Sequence, residues 1–333
     1  MSTTYTPPVR DITFVLEHIT DLSALSKLDG FQHADPETVR GALEEAGRFM
    51  AEVIAPTNRI GDTEGAVHDG DASVTTPGVF QDAYAKFVAS GWGAVGYPAE
   101  AGGAGLPWLI GLAVQEMLTA ANMAFSLGPM LTQSAVEALL FHGSDEQKAT
   151  YLDKLVSGEW TGTMVLTEPE AGSDVGALRS KARPNDDGTY AITGTKIFIT
   201  WGEHDLAENI IHMVLARTPD APPGTKGISM FIVPKFFVNP DGSLGDRNNF
   251  KAASLEHKLG IHGSPTAVMN FEEATGFLVG EENQGMRYMF TMMNSARLSV
   301  GLEGLAISER AYQQAREYAQ ERLQGRAIGA AKT

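Results

Sequence analysis

From position 36 the apolar residues fall at helical spacing. Asp35 can cap, Pro36 suits a first helical position, and Val39, Leu43, Ala46, Phe49, Met50 and Val53 recur three and four apart. Pro56 is expected to end this helix. A looser stretch rich in Gly and Asp, Gly61 to Asp71, leads to a second helical pattern around Phe80 to Ala89, and YPAEAGGAGLP reads as a turn. Apolar helices are predicted from Trp108 to about Ala121 and from about Leu131 to Phe141. Ser144 with Gln147 forms a capping box that opens a short helix, Glu146 to Leu155. Residues 1–158 are therefore expected to form an N-terminal helical domain.

At Trp160 the period changes. Short runs rich in β-branched and aromatic residues follow (TGTMVLTE, GTYAIT, KIFIT, NIIHMVLAR, GISMFIVPKF, TAVMNFEE), separated by Gly, Pro, Asn and Asp. Tyr190 to Lys196 predicts a hairpin turning at Gly194. A compact β-barrel domain is expected over 159–282. Helical spacing resumes from about Asn283 to Gln324, with Met289, Met292, Met293, Leu298, Leu302, Leu305 and Tyr312 along it. A helix that long needs neighbours to cover its apolar stripe, so 283–333 is expected to be the first helix of a bundle that the chain cuts short. The fold class is thus α+β, in several domains.

Composition narrows the function. Hydrophobic residues make up 43% and charged residues 20%, an ordinary globular balance. The formal net charge of -16 disfavours nucleic acid and anionic membrane as partners, so an anionic ligand must be held by a few local cations or backbone N–H groups. With no cysteine, disulfides, thiol nucleophiles and thiolate metal sites are excluded. The N-terminus lacks a basic segment followed by a long apolar run, and no stretch approaches the ~20 apolar residues of a membrane span. A cytoplasmic location is expected.

The segment TEPEAGSD carries the clearest candidate chemistry. A strand ending at Thr167 offers a hydroxyl and an unpaired backbone N–H, Pro169 halts the ladder, and Ala171-Gly172-Ser173 lets backbone approach a ligand closely. Such a turn suits a flavin ring and a diphosphate. A plain strand exit capped by Asp174 is the competing reading. His257 and His262 do not share a helical face and no third ligand joins them, so a turn or surface role is expected. The glycines of AEAGGAGLP lack the spacing of a phosphate-binding loop. The methionines from Met286 to Met293 are read as core, and Glu203-His204-Asp205 either as a polar network or, the reading preferred, as a solvated loop.

In the order helical, β, helical, the segment Thr163 to Asp174 resembles the first signature of the acyl-CoA dehydrogenases, and Gly194-Thr195-Lys196-Ile197-Phe198-Ile199-Thr200 resembles their second flavin-contacting strand. YPAEAGGAGLP, EHKLGIHGSPT and MNSARLSVGLEGLA sit in the same family order. The extended start PPVRDITFVLEHITDLSALSKL, EHDLAENIIHMVLAR and VPKFFVNPDGSLGDRNN resemble the long 3-methylmercaptopropionyl-CoA dehydrogenase-like branch. The resemblance implies FAD as cofactor and α,β-dehydrogenation of an acyl-CoA thioester. It also implies electron-transfer flavoprotein as acceptor and assembly as a homodimer or homotetramer.

Residue by residue, the resemblance implies that Thr167 contacts the flavin and that backbone from Met164 to Leu166 borders it. Gly172 and Ser173 lie at the cofactor, with Ser173 between it and the pantetheine, and Phe198, Ile199 and Thr200 line the other side. Family members often carry Trp where Phe198 stands and Asn where Trp201 stands; a Phe ring still shields a flavin. Asn294 and Arg297 match positions that meet acyl-CoA, and Arg322 matches an Arg that reaches the FAD of a neighbouring subunit, without the aromatic residue that usually follows. The reaction needs a carboxylate base. At one of the two family positions this chain has Ala296, and the other is expected beyond Thr333, so the chain alone is expected to be inactive. A non-catalytic flavin or acyl-CoA binding protein and an acyl-CoA oxidase are the competing functions.

Overall fold

The computed structural model describes residues 4–326 and 328–329, so the last residues of the third expected segment lie outside it. Helices come first: α1 Val9–His18, α2 Leu22–Leu25, α3 Pro36–Phe49 and α4 Ala55–Glu64. A small hairpin follows, β1 Val67–His68 and β2 Val74–Thr75, and then α5 Gly78–Ser90, α6 Trp108–Ala121, α7 Met123–His142 and α8 Asp145–Ser157. The strands are β3 Trp160–Val165, β4 Lys181–Pro184, β5 Tyr190–Thr200, β6 Asn209–Ala216, β7 Ser229–Pro234, β8 Phe236–Val238, β9 Leu244–Arg247, β10 Phe250–Leu255 and β11 Thr266–Leu278. The chain then enters α9, Gly285–Glu321.

Pro56 does not end the first long helix. A π turn over Met50–Ile54 joins α3 to α4, and Pro56 sits in the first turn of α4. Proline lacks an N–H and crowds the carbonyl four residues back, and widening the preceding turn relieves both. Helix α7 begins eight residues before its expected start and keeps Pro129 inside it. Asn122 caps it, accepting from the Phe125 N–H at 3.1 Å, and burial on nearly every side compensates for a poor helix sequence. The capping box at Ser144 and Gln147 is present as the sequence predicts.

The middle domain is a seven-stranded sheet in the order β3-β6-β7-β11-β5-β4, with β10 on β11. Its ends are drawn together: the Ile197 N–H donates to the Thr167 carbonyl at 2.9 Å, and the Ala182 N–H donates to the Arg217 carbonyl at 2.7 Å. No hairpin turns at Gly194; β5 runs straight through it and pairs with β11 along most of its length. The glycine is there for space, because a Cβ would stand 2.1 Å from the Ser180 Oγ.

Helix α9 holds 37 residues, about 55 Å at 1.5 Å each. Tyr288, Met289, Met292, Ala296, Ser299, Glu303 and Ala306 form its buried stripe against α6, α7 and β7. Gly285 admits the chain at its start, since a Cβ there would meet Ser229 backbone at 2.3 Å. Among the described residues, no helix is long and apolar enough to cross a membrane.

Candidate functional site

The two signature segments meet in space. Beyond β3 the chain continues extended through Leu166 and Thr167, where Thr167 accepts from Ile197 of β5. Glu168 and Ala171 then exchange backbone hydrogen bonds at 3.1 and 3.0 Å, closing a tight turn around Pro169 and Glu170. Gly172 and Ser173 leave that turn exposed. A Cβ at Gly172 would touch only the Thr167 methyl, at 4.0 Å, so open space adjoins this backbone.

Strand β5 supplies the other wall. Between its pairs Lys196 with Met269 and Ile199 with Ala267 the register slips, leaving an extra residue in β5. Phe198 takes that place with φ of 59°, a conformation costly for a residue with a Cβ, and its ring is 57% exposed. The bulge turns an aromatic ring outward where a regular strand would bury it. Ile199 points into the sheet core and offers only backbone, whereas Thr200 is half-buried. Trp201, at φ of 54°, packs its buried ring against Gly128 of α7.

These residues fit a flavin. Neither the N–H nor the hydroxyl of Thr167 has a hydrogen-bond partner among the described residues, and the hydroxyls of Ser173 and Thr200 make none either. Free donors beside an outward aromatic ring and an open glycine suit a planar heterocycle rich in acceptors. Met164 and Leu166 are half-buried, packed on the helical core behind the site.

A buried ion pair underlies this face. Lys196 Nζ lies 2.9 Å from Glu168 Oε1, with the Lys196 and Glu168 side chains at 0% and 5% exposure. The Lys196 ammonium also donates to the Leu166 carbonyl at 2.9 Å, and Glu168 accepts the Arg179 N–H at 2.6 Å and the Ser180 N–H at 3.0 Å. Burial pushes the Lys196 ammonium down to about 8 against the pull of Glu168. Burial alone would raise the Glu168 carboxyl, but Lys196 and the bonds from Ser180 and Arg179 hold it below the usual carboxylate value. Sequence reading missed this pair; its trace is a lysine at an inward-facing position of an alternating strand.

Of Glu203-His204-Asp205, preferred as a solvated loop, Glu203 and His204 are buried in a polar network, the alternative reading, and Asp205 stays exposed at its edge. Glu203 bridges Lys235 at 2.5 Å and Arg247 at 2.9 Å. His204 Nδ1 accepts the Leu206 N–H, so Nε2 carries the proton and donates to Thr161 Oγ1 at 2.9 Å. Asp205 accepts from Thr76 and Gln81. Glu203 is buried with charged partners that reach it across the fold, Lys235 from the bend between β7 and β8 and Arg247 from β9. His262 pairs with Asp62 at 2.9 Å, and no metal-binding cluster of His, Cys, Asp or Glu occurs among the described residues.

The remaining site residues lie on α9. Arg297 donates to Asn294 at 2.8 Å and sits over the Phe290 ring; both polar side chains are exposed. No hydrogen bond joins them to the Thr167 face. Ala296 is buried. Arg322 follows the last turn of α9, exposed and without a side-chain partner among the described residues.

Comparison with known sequences agrees with this architecture. The profile "Acyl-CoA dehydrogenase, N-terminal domain" matches residues 36–159, and "Acyl-CoA dehydrogenase, middle domain" matches residues 163–274. The chain belongs to the acyl-CoA dehydrogenase family. Among its relatives, 3-methylmercaptopropionyl-CoA dehydrogenase of Ruegeria pomeroyi is 54% identical over 98% of this chain and 55% of its own length. A butyryl-CoA dehydrogenase of Syntrophomonas wolfei is 38% identical over 96% of this chain and 54% of its own length. The chain thus spans about half the length of these curated relatives. The solved butyryl-CoA dehydrogenase of Megasphaera elsdenii superposes with a TM-score of 0.72 at 27% identity, over 86% of this chain and 70% of that one.

Proposed function

We propose that this chain forms the FAD-holding part of an acyl-CoA dehydrogenase that converts an acyl-CoA thioester to the 2-enoyl-CoA. The observation that carries the reading is the junction of the two signature segments, where Thr167, its N–H and hydroxyl without partners among the described residues, accepts from the Ile197 N–H next to the bulged, exposed Phe198. Bound FAD supplies the acceptor for the β-hydride. Thr167 donates to the flavin with its N–H and hydroxyl, and backbone from Met164 to Leu166 borders the ring. Gly172 and Ser173 let cofactor and pantetheine lie against backbone. Phe198, with Thr200 and the Ile199 backbone, shields the ring from water. Asn294 and Arg297 meet the acyl-CoA. Arg322 reaches the FAD of a second copy, so the working state is a homodimer or homotetramer, and electron-transfer flavoprotein takes the electrons onward.

The α proton needs a carboxylate, and Ala296 is not one. Glu168 is clamped by Lys196 and two backbone N–H groups, and Glu203 by Lys235 and Arg247, so neither can leave its partners to take up a proton. General base catalysis contributes roughly 10² to 10⁴ in rate, and these 333 residues alone lack it. The test loads the chain with FAD, mixes it anaerobically with short to long acyl-CoA thioesters, 3-methylmercaptopropionyl-CoA among them, and follows flavin bleaching. A chimera carrying the remaining segment of the Ruegeria relative runs in parallel. The chimera bleaches and the chain alone does not. Rapid bleaching by the chain alone would place a base within these residues, and a folded, FAD-loaded chimera that bleaches with no thioester would remove the dehydrogenase reading.

A further inference from the structure

The buried Lys196–Glu168 pair takes no part in the chemistry above, yet it touches the flavin-facing backbone directly. The Leu166 carbonyl that accepts from Lys196 Nζ at 2.9 Å and the Thr167 N–H are the two ends of one conjugated peptide unit. A cation on the carbonyl end draws electron density along that unit and makes the N–H a stronger donor, an effect water cannot screen where Lys196 is 0% exposed. The Thr167 N–H has no partner among the described residues, so it is free to act on a ligand. Glu168, tied to Arg179 and Ser180 N–H groups from the following turn, fixes the ammonium in place and offsets its desolvation.

We propose that Lys196, held by Glu168, is a positioning residue that polarises the Leu166–Thr167 peptide and so makes the site bind reduced flavin more tightly than oxidised flavin. Reduction adds negative charge to the isoalloxazine ring, and a strengthened donor stabilises the more negative form. A pair serving only as an internal brace would leave that preference unchanged. The inference rests on the FAD reading.

The measurement is the two-electron reduction potential of the flavin-loaded protein, by equilibration with reference dyes, alongside the FAD dissociation constant and the thermal midpoint of the apoprotein. Lys196→Met paired with Glu168→Gln removes both charges at similar volume. Its ratio of reduced to oxidised affinity falls by on the order of tenfold, a potential about 30 mV more negative. Lys196→Arg keeps a cation at the carbonyl and stays near wild type. Glu168→Gln alone removes the pull that holds the buried Lys196 ammonium charged, so Lys196 loses its proton more readily and the potential again moves negative, which keeps the proposal testable if the double variant does not fold. Unchanged potentials in folded variants that still bind FAD overturn this inference and leave the FAD reading standing. A wild-type protein that takes up no FAD overturns both.

Discussion

Thr167 is the residue on which the proposed flavin contact turns, half-buried just beyond β3 and tied through its carbonyl to Ile197. A strand exit followed by Pro and small residues already implied free donors there, and among the described residues both its N–H and its hydroxyl lack a partner. Thr167→Val removes a hydroxyl at nearly constant volume, so FAD binding weakens by ~1 to 3 kcal/mol while the thermal midpoint of the apoprotein barely moves. Equal losses of both would assign Thr167 a structural role. Gly194 shows what sequence could not give. Read as a turn, it is a glycine because Ser180 occupies the space of its Cβ, 2.1 Å away, and nothing near position 194 announces a neighbour fourteen residues back. Gly194→Ala lowers the unfolding free energy by about 1 to 3 kcal/mol, the usual cost of overpacking. Adding Ser180→Gly restores part of it, as a double-mutant cycle in urea would measure. Strictly additive effects would mean the two sites do not clash.

At the scale of elements, helices with strong caps and clear spacing were legible, and those with internal prolines were not. Periodicity reports which face is buried, but it cannot say that a π turn will carry the chain past Pro56, or that burial all round will hold α7 together through Pro129. The bulge in β5 was equally hidden, since it depends on the register with β11. It makes its own prediction. Phe198→Gly relieves the left-handed strain and loses little burial, so folding stability is unchanged or rises by up to about 1 kcal/mol. The same change removes the aromatic wall and weakens FAD binding. A clear drop in apoprotein stability would show that Phe198 is held by packing and not strained by it.

Across the whole molecule, the order helical, β, helical could be read from the change of period alone, whereas the partners that bury Glu203 could not, because Lys235, between β7 and β8, and Arg247 of β9 are distant in sequence. That network sets an acid limit. His204 and His212 are both buried, and desolvation with Lys235 nearby pushes each down to about 3 from an ordinary 6.5. Their folded values lie below their unfolded ones, so the stability they confer is complete above about pH 6.5 and is lost as pH falls toward 3. The unfolded chain gains protons in that range and the folded chain does not, which costs ~1.4 kcal/mol per pH unit for each histidine. Urea midpoints therefore fall between pH 6.5 and 5, and His204→Gln with His212→Gln flattens that slope. A midpoint constant over this interval in the unmutated protein would mean that the buried rings are already protonated when folded.

The most direct test of the account is an FAD titration of the apoprotein, followed by flavin fluorescence and visible absorbance. The account predicts saturable uptake of one FAD per chain with an oxidised-flavin spectrum, weakened by Thr167→Val and by Phe198→Gly. Failure to take up FAD, or uptake indifferent to both substitutions, would contradict it.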